Sequence, residues 1–287
     1  MATLRVVRKR IRTVRSTERI TKAMEMVAAA KLRRAMQRVE QAKPYARKMD
    51  EMLSHLAAAA TTEIVHPFFE VREPKKKTLV VVSSDRGLCG SFNANVHRKA
   101  DRWLRETTGV EVELVVIGKR ARDYYRRRWQ PVVKYYGDWG GQPDYELARQ
   151  AVSLLTDRFM SGQTDEISIV FTRFLSTVRY RVEVERYLPV PRPRVGEGGG
   201  TLDYIFEPSA EEIYAALMPG YAQTKLMTVL AESFASEHSS RMMAMGNATR
   251  NAGELVDSLT LDYNKARQTQ ITKELLEIVS GAEALKG

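Results

Sequence analysis

The sequence predicts an α/β protein in which the N- and C-terminal helices form a long antiparallel coiled coil, joined to a Rossmann-like α/β domain with a mostly parallel sheet. Three observations carry this expectation. Alternating steps of three and four residues from Leu4 to Ala60 visit seventeen positions, of which fourteen are apolar, the spacing of a coiled-coil seam. Residues 221–284 contain no proline and only three glycines, Gly246, Gly253 and Gly281, so a single helix of about 96 Å is permitted. Between these two stretches, β-branched runs alternate with helical patterns, as they do where helices cover a parallel sheet. The divisions fall at 1–66 for the first helix, 67–208 for the α/β domain and 209–287 for the second helix. Two such helices from opposite chain ends meet by winding together, so the expected product is a rod rising from a globular base.

In the first helix the seam turns polar at Glu18, Thr21 and Glu25, while Ile20, Met24 and Val27 carry the apolar pattern on a neighbouring face. Either the coiled-coil register stutters there, or this turn faces a different partner from the rest of the helix. Pro44 lies inside the helical run and predicts a kink near Lys43.

After Pro67 and Pro74 the run TLVVV at 78–82 is short, β-branched and bounded by turn signals, hence a buried strand. A loop, SSDRGLCG at 83–90, leads into a helical pattern over 92–105. Residues 113–118 predict a second strand, followed by an Arg-rich helix through Trp129. A third strand is expected at 131–136, a helix at 145–160 and a fourth strand at 167–174. Strict alternation over 179–187 predicts a half-solvated strand joined to the fourth by a tight connection at Ser176 and Thr177. Pro189, Pro191, Pro193 and the glycines at 196–200 predict a loop. Ser209 with Glu212 three residues on has the spacing of a helix cap, and Pro219-Gly220 predicts a break before the terminal helix. In that helix Met245, Ala248, Ala252, Leu255, Leu259, Tyr263 and Ala266 keep a three-four spacing. Beyond Ala266 most faces turn polar, and the shorter first helix has run out. Ile271, Leu275, Leu276, Ile278 and Val279 therefore need cover from outside the chain.

Charge is placed unevenly. Residues 1–48 hold fifteen Lys/Arg against three acids, a balance of +12, whereas the whole chain is +11, so residues 49–287 are nearly neutral. The basicity belongs to one helix and calls for a polyanionic or acid-lined partner. A single cysteine, Cys89, excludes an internal disulfide framework. No apolar run is long enough to span a bilayer.

The loop at 83–91 occupies the place of a phosphate-cradling turn, yet it lacks the Lys-Ser/Thr pair of a P-loop and the three spaced glycines of a dinucleotide fingerprint. A tight strand-to-helix turn is the favoured reading, with no nucleotide site of its own. The histidines, His55, His66, His97 and His238, have no zinc-site spacing. Ser83, Ser84 and Asp85 cluster at a strand end without a histidine placed by sequence as their base. No cofactor or metal is expected, and the chain reads as non-catalytic.

Three segments, ITKAMEMVAA at 20–29, SSDRGLCG at 83–90 and ITKELLEIVSGA at 271–282, together resemble the gamma-subunit family of F-type ATP synthases, of bacterial type. The resemblance implies a central rotor shaft that couples proton-driven rotation of the membrane c ring to ATP synthesis or hydrolysis at beta-subunit sites. The implied partners are the alpha and beta subunits of a hexamer, the epsilon subunit and the c ring. Association with the cytoplasmic face of the bacterial plasma membrane would be peripheral, through that ring. Carried over by motif, Met24, Arg241, Arg267, Gln268 and Thr272 fall at shaft-to-hexamer contacts, and Tyr204 and Glu207 at contacts with the c ring and epsilon. Arg250 stands where the family often has an acidic residue, which affects local salt bridges. The cysteine-bearing insertion of plastid versions is absent. Two rivals remain: a coiled-coil nucleic-acid-binding protein, which explains the charge but not the apolar far end of the second helix, and a free-standing α/β enzyme, which lacks a catalytic constellation.

Overall fold

The computed structural model describes residues 4–59, 66–128, 131–140, 144–191 and 209–284. Helix α1 spans Leu4–Ala59 and helix α5 spans Ala210–Ala284. Between them lie strands β1 (Lys76–Val82), β2 (Glu111–Ile117), β3 (Val132–Tyr136), β4 (Glu166–Ser176) and β5 (Arg179–Leu188), with helices α2 (Phe92–Glu106), α3 (Lys119–Arg126) and α4 (Tyr145–Met160). The chain divides into two compact units, Ala28–Arg241 on one hand and Met1–Val27 with Met242–Gly287 on the other.

The unit Ala28–Arg241 is built on a five-stranded sheet of order β3-β2-β1-β4-β5. The first four strands in this order are parallel and β5 is antiparallel to β4. Because successive side chains of a strand point to opposite faces, the unbroken apolar run of β1 serves two cores. Leu79 and Val81 pack with Leu114, Val116 and Val170 under Val96 and Ala100 of α2 and Ala121 and Tyr125 of α3. Val80 and Val82 join Val115, Ile117, Ile169 and Phe171 on the opposite face. That face is covered by α4 through Leu155 and Phe159, and by both terminal helices through Met49, Leu53, Tyr214, Met218, Leu226 and Phe234. The outer strand β5 is tied to β4 by Arg173, whose guanidinium donates to Glu183 and, at 2.8 Å, to Glu185.

Helix α5 starts where the sequence places its cap but runs on without the expected break. Ser209 accepts from the Glu212 backbone N–H at 3.2 Å, as its spacing predicts, but Pro219-Gly220 does not interrupt the helix, which runs through both residues. Tyr214, Met218, Ala222 and Leu226 recur every four residues and are all buried, so tertiary packing outweighs the roughly 3 kcal/mol that an interior proline costs. Pro219 itself lies on the exposed side, and so does Ala215, whose carbonyl loses its helical donor. Helix α1 likewise continues through Pro44.

In the second unit α1 and α5 pair antiparallel. Thr21 lies opposite Thr249, with their hydroxyls 2.9 Å apart, while Glu25 faces Gly246 and Glu18 faces Gly253. No stutter displaces the seam: Thr21 is 9% exposed, whereas Ile20 and Val27 on the neighbouring face are 58% and 57% exposed. The polar residues stay inside because the partner helix presents a hydroxyl to one and glycines to the other two. A Cβ at Gly246 would sit 3.5 Å from the Glu25 carboxyl carbon. On α5 the buried line runs through Met245, Ala252, Val256 and Leu259. Leu255, expected in the seam, faces solvent, and Val256 takes its place because the step after Ala252 is four residues rather than three.

One buried group makes the unit Ala28–Arg241 sensitive to acid. His97 stacks on Tyr124 with ring centroids 4.1 Å apart, and its Nδ1 has no hydrogen-bond partner. Burial pushes the imidazole down to about 4, against the pull of Asp101 and with the help of Arg128. An unfolded histidine titrates near 6.5, so on acidification the unfolded chain takes up this proton first. Stability that is complete above pH 6.5 is then lost as pH falls toward 4, by up to about 1.4 kcal/mol per pH unit. Urea denaturation of the wild type between pH 7 and 4.5 should show this slope and His97→Phe should flatten it; equal slopes for both would assign the acid sensitivity to other groups.

Candidate functional site

The loop after β1 is held by its own side chains. The Ser83 hydroxyl accepts from the Ala121 N–H at 2.8 Å and donates to the Ile117 carbonyl at 3.2 Å. The two carboxylate oxygens of Asp85 accept from the N–H groups of Lys119 and Trp139, each at 3.0 Å. Ser84 donates to the Arg86 carbonyl at 2.6 Å. These three side chains, which by sequence could have been a catalytic cluster, are thus engaged with backbone groups that close a strand-to-helix turn. Gly118 is required beside it: its φ is +94°, and a Cβ there would lie 2.3 Å from the Ser83 carbonyl oxygen.

Arg241 of α5 meets this loop. Its Nη2 donates to the carbonyls of Gly87 at 3.2 Å and Arg86 at 3.4 Å, and its Nη1 donates to Glu237 Oε1 at 2.6 Å. Burial raises the Glu237 carboxyl above the usual carboxylate range, and the Arg241 guanidinium pulls it back. The sequence carried a signal for this pair, a Glu four residues N-terminal to an Arg on one helix face. Arg241 therefore holds the loop and α5 together from within the unit Ala28–Arg241.

The other residues named from sequence lie in the second unit. Met24 is half-buried on α1 between the exposed Ile20 and Val27. Lys22 and Glu25 pair at 3.2 Å and line one groove with Met242, Met243 and Arg250. Among the described residues Arg250 makes no ion pair. Arg267, Gln268 and Thr272 are all exposed, with the Thr272 hydroxyl donating to the Gln268 carbonyl at 3.0 Å. From Arg267 onward every described side chain of α5 is exposed, including Ile271, Leu275, Leu276, Ile278 and Val279, at 47–67%. Continuing the helix register places Leu4, the first described residue of α1, opposite Ala266 or Arg267. Tyr204 and Glu207 lie outside the described residues. The Thr21–Thr249 pair was missed by sequence reasoning, because only the opposing residue reveals why a threonine belongs in an apolar seam.

Residues 3–285 match the model of the family described as ATP synthase. A protein of Moorella thermoacetica named ATP synthase gamma chain is 46% identical over 286 residues, covering all of both chains. This chain belongs to the ATP synthase gamma-chain family. A second gamma chain, from Pelotomaculum thermopropionicum, is 41% identical over 286 residues and again matches end to end. Among solved structures, a chain of the central stalk and c-ring portion of the Tetrahymena thermophila mitochondrial ATP synthase is 26% identical. It superposes with a TM-score of 0.60, covering 80% of this chain and 99% of that one. A chain of the Euglena gracilis mitochondrial ATP synthase, 20% identical, shares the fold with a TM-score of 0.70 over 98% of this chain and 94% of that one.

The Glu237–Arg241 pair offers a test of how the loop is held. Arg241→Ala leaves a buried carboxylate without its cation and should cost about 3–5 kcal/mol in denaturant unfolding at pH 7. Adding Glu237→Gln should recover a large part of that loss. A single variant as stable as the wild type would show that the pair contributes nothing to the fold.

Proposed function

We propose that the chain is the central rotor subunit of an F-type ATP synthase, transmitting rotation between a membrane c ring and the catalytic sites of an alpha-beta hexamer. The observation that carries this reading is the end-to-end match with gamma chains, joined to an α5 segment whose five large apolar side chains lie exposed. In this reading the terminal segments 1–66 and 209–287 form the shaft, and 67–208 is the body that meets epsilon and the c ring. ATP chemistry belongs to the beta subunits, and this chain contributes differential contact: each shaft orientation favours a different conformation of each beta site.

Met24, with exposed Ile20 and Val27 beside it, and Arg267, Gln268 and Thr272 are the residues proposed to meet the hexamer. Arg241 sits at the same contact through the loop it holds, and Tyr204 and Glu207 are proposed to face the c ring and epsilon. The excess of basic residues in α1 suits acidic loops on the beta subunits. Among the described residues no helix is long and apolar enough to cross a membrane, which agrees with peripheral attachment through the ring at the cytoplasmic face. The nucleic-acid-binding alternative falls with the family assignment.

Reconstitution with alpha and beta subunits tests this reading. The full chain should confer rotation and ATPase activity on the hexamer. A chain ending at Asn264 should assemble less tightly and develop less torque, while the sheet still folds by circular dichroism. Full torque from the truncated chain, or loss of the folded sheet, would contradict the proposed roles of tip and body.

A further inference from the structure

Two groups of hydroxyl residues on helix α5 behave differently. Thr224, Thr249, Thr260, Thr269 and Thr272 donate to the carbonyl four residues earlier in their own helix, at 2.7–3.0 Å, the ordinary alternative for a helical hydroxyl. Ser236, Ser239 and Ser240 do not. Ser236 donates to the Thr172 carbonyl of β4 at 3.2 Å. Ser239 donates to the Thr177 carbonyl in the β4–β5 turn. Ser240 donates to the Cys89 carbonyl at 2.6 Å and accepts from the Tyr180 hydroxyl at 3.1 Å. The three serines are spaced i, i+3, i+4, hence share one face of the helix, and none is more than 3% exposed.

We propose that Ser236, Ser239 and Ser240 are keys that lock α5 against turning about its own axis within the unit Ala28–Arg241, and so are positioning residues for torque transfer. The inference rests on the rotor reading above.

The physical ground is the difference between apolar and hydrogen-bonded contact. Apolar burial is non-directional, so a helix packed only by Ala and Leu resists separation from a sheet far better than it resists a small turn. A hydroxyl-to-carbonyl bond holds only within a few tenths of an ångström and above about 120° at the donor. Helix side chains reach about 5–6 Å from the axis, so a turn of about 20° moves each hydroxyl by about 2 Å, enough to break all three bonds together. Their acceptors belong to three separate segments of the body, β4, the β4–β5 turn and the loop after β1. A twist applied to α5 is therefore shared by the whole sheet edge. At the other end of this stretch Tyr187 of β5 donates to the Ala222 carbonyl at 2.9 Å, and Lys225 donates to the Arg186 carbonyl at 2.8 Å, extending the locked length along the helix.

The test uses the chain reconstituted with alpha and beta subunits, with a bead fixed to the exposed α2 position by Arg102→Cys, Cys89 being buried. Torsional stiffness is read from angular fluctuations of the bead during ATP-driven rotation. The triple variant Ser236→Ala, Ser239→Ala, Ser240→Ala should keep unloaded ATP turnover within two-fold of the wild type, yet lose at least two-fold in stiffness and stall at lower drag. Leu114→Ala, a core change in β2 on the face of the sheet opposite to α5, serves as a control for loss of stability alone and should leave stiffness unchanged at comparable melting temperature. Unchanged stiffness in the triple variant overturns the proposal, and so does equal softening by Leu114→Ala, which would make the serines merely structural. A wild-type chain that drives no rotation would instead overturn the rotor reading, and the inference with it.

Discussion

The structure depends on one long helix passing through three environments without a break. In α5, residues 231–240 are buried without interruption, which a helix achieves only when packed on every side. Between 242 and 266 only one stripe is buried, against α1, and beyond 266 none of the described side chains is. Helix propensity alone does not maintain such a run through Pro219-Gly220. Continuous tertiary cover on the N-terminal part does, and the later segments inherit an already nucleated helix. The polar character of residues 232–241 follows from the same constraint, since groups buried on all sides near sheet carbonyls gain more from bonding to them than from apolar contact.

Pairing of α1 with α5 uses a second device. An apolar seam throughout would let the two helices settle in neighbouring registers of similar energy. The Thr21–Thr249 hydroxyl pair and the glycines facing Glu18 and Glu25 remove that freedom, because shifting by one turn would press a carboxylate against a larger side chain and leave a buried hydroxyl without its partner. Polar residues inside a coiled coil lower stability while fixing register. Here they also leave the neighbouring face, with Ile20 and Val27, open to solvent.

Much of the fold could be read from the chain. The limits of α4 emerge as its pattern indicates, and the strand run of β1 is buried on both faces because residues such as Leu79 and Val80 leave no polar side. Two expectations failed for reasons outside a single-chain pattern. Pro219 reads as a stop until the burial of Tyr214 and Met218 is known, and Leu255 fits a three-four spacing as well as Val256 until the opposing helix is in place. The site was less legible. Ser83 and Asp85 have the residue types of a catalytic cluster, and their engagement with the backbone of α3 and of Trp139 depends on a contact across more than thirty positions. Arg241 carried a visible partner in Glu237, but the loop carbonyls it also holds are separated from it by about half the chain.

The distribution of apolar surface connects the fold to its use. A helical segment that leaves Ile271, Leu275, Leu276, Ile278 and Val279 exposed is a poor surface for a monomer, since at about 100° per residue these five side chains share one apolar face about 160° wide. The opposite side of the same segment carries Lys273, Glu274 and Glu277, so it presents an apolar face and a charged one. In the rotor reading, neighbours that are to respond to the orientation of this helix pair must meet a surface that differs around its axis. Along the paired stretch that difference is present: the α1 side carries a dense row of basic residues together with exposed Ile20 and Val27, while the α5 side carries exposed Asn247, Glu254 and Asp257. One pair of helices, locked in register and unlike on its two sides, is enough to make rotation distinguishable to whatever encloses it.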